Sequence, residues 1–127
     1  MSRWPYALMT VAALAGGVGV MEAAAAAHRI ADPHLTTSAN FLMLDATASI
    51  AITAFARNAP RGSTWFLTAA SILLGGGILF CADISSRAFA AERLFPLAAP
   101  IGGTLMIIGW LLTAIAAAVC LIKSPKN

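Results

Sequence analysis

Charged residues are scarce in this 127-residue chain, because Asp, Glu, Lys and Arg make up only 10% of it, whereas about 25% is usual in soluble domains. The mean hydropathy is +0.84, and 60% of the residues are hydrophobic. These apolar residues fall in long blocks, without the 3.6-residue stripe and opposite polar face of a helix on a soluble core. The composition therefore excludes an ordinary soluble domain and indicates helices surrounded by lipid.

The sequence also has few groups that carry chemistry. It contains two cysteines and two histidines. It shows no phosphate-binding loop, no CxxC pair, no haem-type histidine pair and no arrangement of a nucleophile with a base. We therefore predict that the protein is not an enzyme and that it holds no cofactor and no metal.

Basic residues outnumber acidic ones by eight to five, which gives a net charge of +3 and a pI of about 9.4. The eight are spread in ones and twos between the apolar blocks and form no patch. Such spacing is typical of topology signals beside membrane helices. The basic excess therefore does not predict a nucleic acid partner.

Four apolar blocks reach the length of about 20 residues that a membrane helix needs. The segments between them hold charges and breakers, and Pro33, Pro60 and Pro96 each precede a block, where a proline disturbs a helix least. One alternative for the first block is a secretory signal, but its apolar stretch is too long for a typical h-region. We predict an all-α, integral membrane four-helix bundle that forms one membrane domain over residues 1–127, with spans at about 5–27, 36–56, 64–82 and 97–122.

The charges flanking these spans predict an orientation. With four spans, both termini lie on one side of the membrane. That side would hold five basic residues and the other side three. Cytoplasmic loops are enriched in Lys and Arg. We therefore expect the protein to lie in the inner membrane with both termini in the cytoplasm.

Small residues recur at helical spacing inside the spans, where they let helix backbones approach closely. We interpret these faces as packing within the bundle, with contacts to another copy or another protein as the alternative. Three adjacent glycines at 75–77 cannot all face one neighbour. Trp110 lies in mid-span, so we expect it to pack against glycines of a neighbouring helix. The glycines assigned to packing are Gly16, Gly19, Gly75, Gly76, Gly77, Gly102, Gly103 and Gly109.

The segment APIGGTLMIIGWLLTAIAA at 99–117 resembles the last helix of a family of small bacterial inner-membrane proteins, domain-of-unknown-function family 423. GILFCADIS is similar to that family's third helix, and GVMEAAAAAHRI is similar to its first, which ends in a small residue and a histidine, here Ala27 and His28. The resemblance implies four helices and an inner-membrane location, and it implies no activity. This chain departs from the family's pattern at Asp45, where a histidine is usual, and at Glu22, where an apolar residue is usual.

Glu22 and Asp45 are carboxylates inside apolar spans, where a charge at the bilayer centre costs roughly 2.5–3.5 kcal/mol. Their estimated depths differ by roughly 6 Å, so they could meet inside the bundle and carry a proton or bind a cation. Each could instead be neutral and hydrogen-bonded, or Asp45 could pair with an arginine of another subunit. Ser49 follows Asp45 by one turn and extends a polar stripe, which predicts that Asp45 points away from lipid.

His28, Asp32 and His34 lie between the first two spans. With Asp83 and Glu92 they could supply an outer metal site, but the spacing of the histidines across Pro33 matches no ligand signature. We interpret them as solvated loop residues.

The sequence thus predicts a non-catalytic membrane protein whose partners are lipid and either further copies or a larger membrane complex. In this interpretation it is an oligomeric structural module or an accessory subunit. The alternative is a small transporter or proton-conducting protein that uses Glu22 and Asp45.

Overall fold

Four long helices account for nearly all of the computed structural model, which describes residues 2–29 and 31–126. They are α1 (Trp4–His28), α2 (Pro33–Asn58), α3 (Ser63–Ala90) and α4 (Ala98–Lys123), and the described residues form no strand. Each helix is long and apolar enough to cross a membrane. The predicted all-α fold of four membrane helices is therefore confirmed.

The helix boundaries follow from local chemistry. Pro33 opens α2, where a proline loses no helical hydrogen bond, and the side chain of Asp32 caps that helix by accepting from the backbone N–H of His34 at 2.9 Å. Gly62 precedes α3 with a φ of 76°, a left-handed conformation that glycine adopts without a steric penalty. The helix α3 continues through residues 83–90, beyond the apolar block that predicted it.

The helices pack in chain order, each against the next. The helix α1 packs on α2, α2 on α3 and α3 on α4, whereas α1 touches α3 only lightly. The two central helices, α2 and α3, are the most buried, and α4 is the least buried although it is the most apolar. The outer faces of α1 and α4 carry large exposed side chains such as Leu14, Met21, Ile107 and Leu111, as expected for surfaces that meet acyl chains.

Glycines bring the backbones of α3 and α4 together. A Cβ placed on Gly76 would lie 2.8 Å from the carbonyl oxygen of Gly102, and a Cβ on Gly102 would lie 2.5 Å from the backbone nitrogen of Phe80. One on Gly109 would lie 2.8 Å from the Cα of Leu73. These separations are too short for any larger residue, so the three glycines set the distance between the two helices.

On α1, Gly19 fulfils the same role against α2, because an added Cβ would lie 2.7 Å from the Met43 side chain. Gly16 is looser, since a Cβ there would meet Ala46 at an ordinary 3.6 Å. Two further glycines assigned to packing, Gly75 and Gly103, have no atom of another helix within 4 Å of the position of a Cβ. They contribute no close contact between the described helices.

Trp110 does not pack as expected. Its side chain is 45% exposed, although the preceding residue, Gly109, lies directly on α3. Successive helical residues are rotated by about 100°, and α4 packs closely on α3 alone. The ring of Trp110 therefore turns towards the lipid side of α4.

Candidate functional site

Polar side chains line one face of α2 along the contact with α3. Ser38, Asp45, Ser49 and Thr53 are each at most 1% exposed, and their spacing places them on one face of the helix. Ser49 donates a hydrogen bond to the carbonyl oxygen of Ala70 on α3 at 3.4 Å. We call these four residues the polar track.

Asp45 lies at the midpoint of α2, and therefore near the middle of the bilayer for a helix that spans it. Gly77 of α3 faces it so closely that a Cβ on Gly77 would overlap Asp45 Oδ2 and lie 3.1 Å from its Cγ. Gly77 thus provides the space that the carboxyl group occupies. Among the described residues, Asp45 Oδ2 has no hydrogen-bond partner, which is costly for a buried oxygen.

The prediction that Asp45 is directed away from lipid agrees with this position. Two serines on the α2 and α3 helices have other partners, because Ser49 donates to a carbonyl of α3 and Ser71 accepts from the indole N–H of Trp4 at 2.9 Å. Thr47 is exposed and bonds within its own helix. None of these bonds reaches Asp45.

Glu22 joins three helices at another level of the bundle. It is half-buried on α1, and its carboxyl oxygens accept hydrogen bonds from Ser38 of α2 at 3.4 Å and from Ser85 of α3. Of the alternatives left open by the sequence, a direct contact between Glu22 and Asp45 is not the one that the structure shows. Ser38, the residue of α2 that Glu22 contacts, lies two helical turns from Asp45, or about 10 Å along the axis, and Asp45 turns to Gly77 instead.

A groove between α1 and α3 leads to Glu22. It has a volume of about 300 Å³, and its mostly apolar walls include Leu14, Val18 and Ile78, with Cys81 and Ser85 beside the carboxyl group. Cys81 is buried and donates from its thiol to the carbonyl oxygen of Ser38 at 3.1 Å. Cys81 therefore lies against the start of the polar track, between α1 and α2.

Asp83 is a buried carboxylate that sequence reasoning placed in an outer loop. It is 0% exposed in the last third of α3, forms a salt bridge with Arg87 and accepts from the backbone N–H of Leu94 at 3.0 Å. The available signal was the spacing of Asp83 and Arg87, which favours a continuing helix. Asp83 fastens the segment that follows α3 back onto that helix.

The residues suggested for an outer metal site do not gather. His28 ends α1 with an exposed side chain, Asp32 caps α2, and His34 is exposed in the first turn of α2. Within residues 2–29 and 31–126, no group of three or more His, Cys, Asp or Glu side chains is placed to hold a metal ion.

Four membrane-length helices that enclose two buried carboxylates define a multi-pass helical membrane protein. Within that class, the chain belongs to the family described as "Protein of unknown function (DUF423)", whose model matches residues 22–103. The match confirms the resemblance seen in the sequence, although most of the segment 99–117 lies beyond the matched range. The matched range, 22–103, includes Glu22, the polar track, Gly77 and Asp83. No curated protein and no solved structure matches the chain.

Proposed function

We propose that this protein is a non-catalytic module of the bacterial inner membrane that assembles with copies of itself or serves as an accessory subunit of a larger membrane complex. Both termini lie in the cytoplasm in this proposal, because the end of the bundle that carries them has the greater number of basic residues. Its partners are lipid and membrane proteins, with no nucleic acid, no cofactor and no metal.

The observation that carries the proposal is a set of glycines without internal contacts. Gly17 on α1, Gly75 on α3 and Gly103 on α4 each have open space where a Cβ would lie. A glycine inside a helix costs about 1 kcal/mol relative to alanine, and these three gain no compensating close contact with another of the described helices. Small residues on membrane helices are where another helix can approach.

The polar groups that tie the helices together support the same role. Glu22 connects α1, α2 and α3 through two serines, and Trp4 of α1 donates to Ser71 of α3. These bonds run between helices inside the chain, so they favour a fixed scaffold with apolar outer faces.

Assembly is tested by mild solubilisation followed by native mass measurement of whatever co-purifies. We expect a stoichiometric complex, and we expect Gly17→Leu or Gly103→Leu to release the folded chain from it. Val18→Leu enlarges a side chain that is already 41% exposed on α1 and serves as the control. A chain that is monomeric before and after every substitution contradicts the proposal.

A second candidate function is supported by Asp45. Within the described part of the chain, Asp45 Oδ2 near the bilayer centre and the hydroxyl of Thr53 have no hydrogen-bond partner, and Ser49 lies between them on the same face. Buried polar groups in a row at this depth are an arrangement that proton-conducting proteins use. In this alternative, protons reach the polar track from the periplasmic side through the groove beside Glu22. The test is proton flux into liposomes that contain the purified protein, and absence of flux above that of empty liposomes contradicts it.

A further inference from the structure

One end of the bundle concentrates positive charge. At this end, which we call the basic end, α1 and α3 begin and α2 and α4 finish, and it carries Arg3, Arg57, Arg61, Lys123 and Lys126. In the described part of the chain no Asp or Glu lies there, and the only salt bridge, between Arg87 and Asp83, belongs to the last third of α3. Among the described residues, no Asp or Glu side chain therefore neutralises the charges of the basic end.

Two cavities open beside Arg61 at the basic end. The first, of about 430 Å³, lies between the start of α3 and the last turns of α4, and its walls include Trp65, Ile115 and Val119, with Lys123 also lining it. The second, of about 500 Å³, includes Phe55, Phe66 and Leu121. Arg61 and Cys120 line both cavities. Each cavity is mostly apolar, and Arg61 is among the residues that line it.

Arg61 is held in position by the neighbouring helix. One of its terminal nitrogens donates to the carbonyl oxygen of Lys123 at 3.0 Å, so the side chain caps the end of α4. A guanidinium has five N–H donors, and among residues 2–29 and 31–126 the Arg61 side chain makes this one hydrogen bond. Lys123 is among the residues that line the first cavity, and its bond with Arg61 involves the backbone carbonyl, so the side-chain ammonium takes no part in that bond.

We propose that the basic end binds one anionic phospholipid, whose phosphate pairs with Arg61 and Lys123 and whose two acyl chains lie in the two cavities that share Arg61. Basic pockets between membrane helices favour anionic headgroups, and the apolar walls match hydrocarbon. A free anion would use the cations and leave the walls uncovered. A phosphatidylcholine headgroup has no net negative charge, because its choline group is positive, so the basic end attracts it less than an anionic headgroup. Trp65, which is 61% exposed, would lie beside one acyl chain.

The binding is measured through Trp65. In a Trp4→Phe, Trp110→Phe background it is the only tryptophan, and bromine atoms on a neighbouring acyl chain quench its fluorescence. The protein is placed in phosphatidylcholine vesicles, and brominated phosphatidylglycerol or brominated phosphatidylcholine is added. We expect stronger quenching by the phosphatidylglycerol at the same surface fraction. Arg61→Gln and Lys123→Gln should each weaken its apparent affinity about fivefold.

Lys126→Gln is the matched control, because it removes the same charge at the same end without altering either cavity. It should keep the preference for phosphatidylglycerol, and an equal loss in this variant overturns a defined site in favour of diffuse attraction. Equal quenching by the two brominated lipids also overturns the proposal. Inorganic phosphate added to the vesicles should leave the quenching unchanged, whereas full competition would indicate a site for a free phosphate.

A second measurement keeps the test valid if the tryptophan substitutions disturb folding. Native mass spectrometry of the unmodified chain, released from mixed micelles of the two lipids, should show phosphatidylglycerol retained in preference to phosphatidylcholine. Lys123→Gln leaves the backbone bond to Arg61 intact, so it should fold and retain clearly less phosphatidylglycerol relative to phosphatidylcholine. A preference that is undiminished in Lys123→Gln contradicts the assigned contact.

Discussion

Gly77 and Asp45 fit together with no spare volume, because a Cβ on Gly77 would lie 3.0 Å from the Cβ of Asp45 and would overlap its Oδ2. The glycine of α3 and the carboxyl group of α2 therefore depend on one another. A larger residue at 77 must displace the carboxyl group or separate the two central helices.

Gly77→Ala should lower the thermal stability of the protein in detergent by the equivalent of about 1–3 kcal/mol, since overfilled cores lose this much. Gly75→Ala is the control, because its Cβ would meet nothing and alanine favours helix by up to about 1 kcal/mol. Adding Asp45→Ala to Gly77→Ala should restore part of the loss, as expected for residues in direct contact. Equal melting temperatures for both alanine variants would refute the contact.

Asp45→Asn should distinguish the two proposed functions. The amide has nearly the shape of the carboxyl group, so helicity and assembly on native gels should be kept, whereas Asp45→Leu should weaken both by crowding Gly77. If Asp45 carries protons, Asp45→Asn abolishes flux into liposomes while assembly persists. Glu92→Gln removes an exposed carboxylate and should leave both readouts unchanged. Flux that continues in Asp45→Asn excludes this residue as a proton carrier.

Ser85→Ala should loosen α1 from α3 with little effect on the rest of the bundle. Hydrogen bonds between membrane helices contribute about 0.6 kcal/mol on average, so Glu22→Ala, which removes two of them, should cost about twice as much as Ser85→Ala. The measurement is unfolding by a denaturing detergent. Thr47→Ala, which removes a bond confined to α2, is the control and should have the smallest effect.

Asp83→Ala should free the segment between α3 and α4. The backbone N–H of Leu94 loses its acceptor and Arg87 loses its partner, at a cost of about 1–3 kcal/mol for groups left unpaired. Hydrogen exchange at Leu94 should become faster, with little change in the middle of α2. Glu92→Ala alters a carboxylate of the same segment that is exposed. If Glu92→Ala accelerates exchange as much as Asp83→Ala, the assigned bond is wrong.

The proposed orientation predicts which cysteines an impermeant reagent can reach. In a Cys81→Ala, Cys120→Ala background, Ser124→Cys should be protected in intact cells, whereas Ala31→Cys should react from the periplasmic side. Both positions are exposed and lie at opposite ends of the bundle. The reverse pattern of labelling would place both termini outside the cytoplasm.

The four helices could be predicted from the sequence because lipid requires long apolar blocks, and charges and prolines separate them. The same apolar blocks did not predict the rotation of each helix about its own axis, and therefore not which side of the helix faces the bundle interior. A helix that is apolar nearly all round has no stripe to indicate its inner side, so nothing distinguished Gly75, Gly76 and Gly77. The structure gives them three different surroundings, which are open space, α4 and Asp45.

The buried carboxylates were predicted only in part for the same reason. The position of Asp45 in an apolar block indicated that it avoids lipid, but its partner helix depends on the rotation of α2. The estimated depths of Glu22 and Asp45 differ by only roughly 6 Å, but in the structure Glu22 bonds to Ser38, which lies two turns from Asp45 on the same face of α2. The level of that bond depends on how far α1 is shifted along α2, which no sequence pattern records. Asp83 was misplaced because α3 continues past its apolar block, and the bond from Leu94 involves a loop whose path no sequence pattern records.

The packing of each helix on its successor has a consequence for how the protein is made. Contacts between elements that are adjacent in the chain form quickly, because little loop entropy is lost. When α2 leaves the ribosome, α1 is already available to pair with it, and the same holds for α3 and then α4. Glu22 receives its second serine only when α3 arrives. Biogenesis can therefore proceed as a sequence of hairpins, in which each arriving helix finds its main packing partner already in the bilayer.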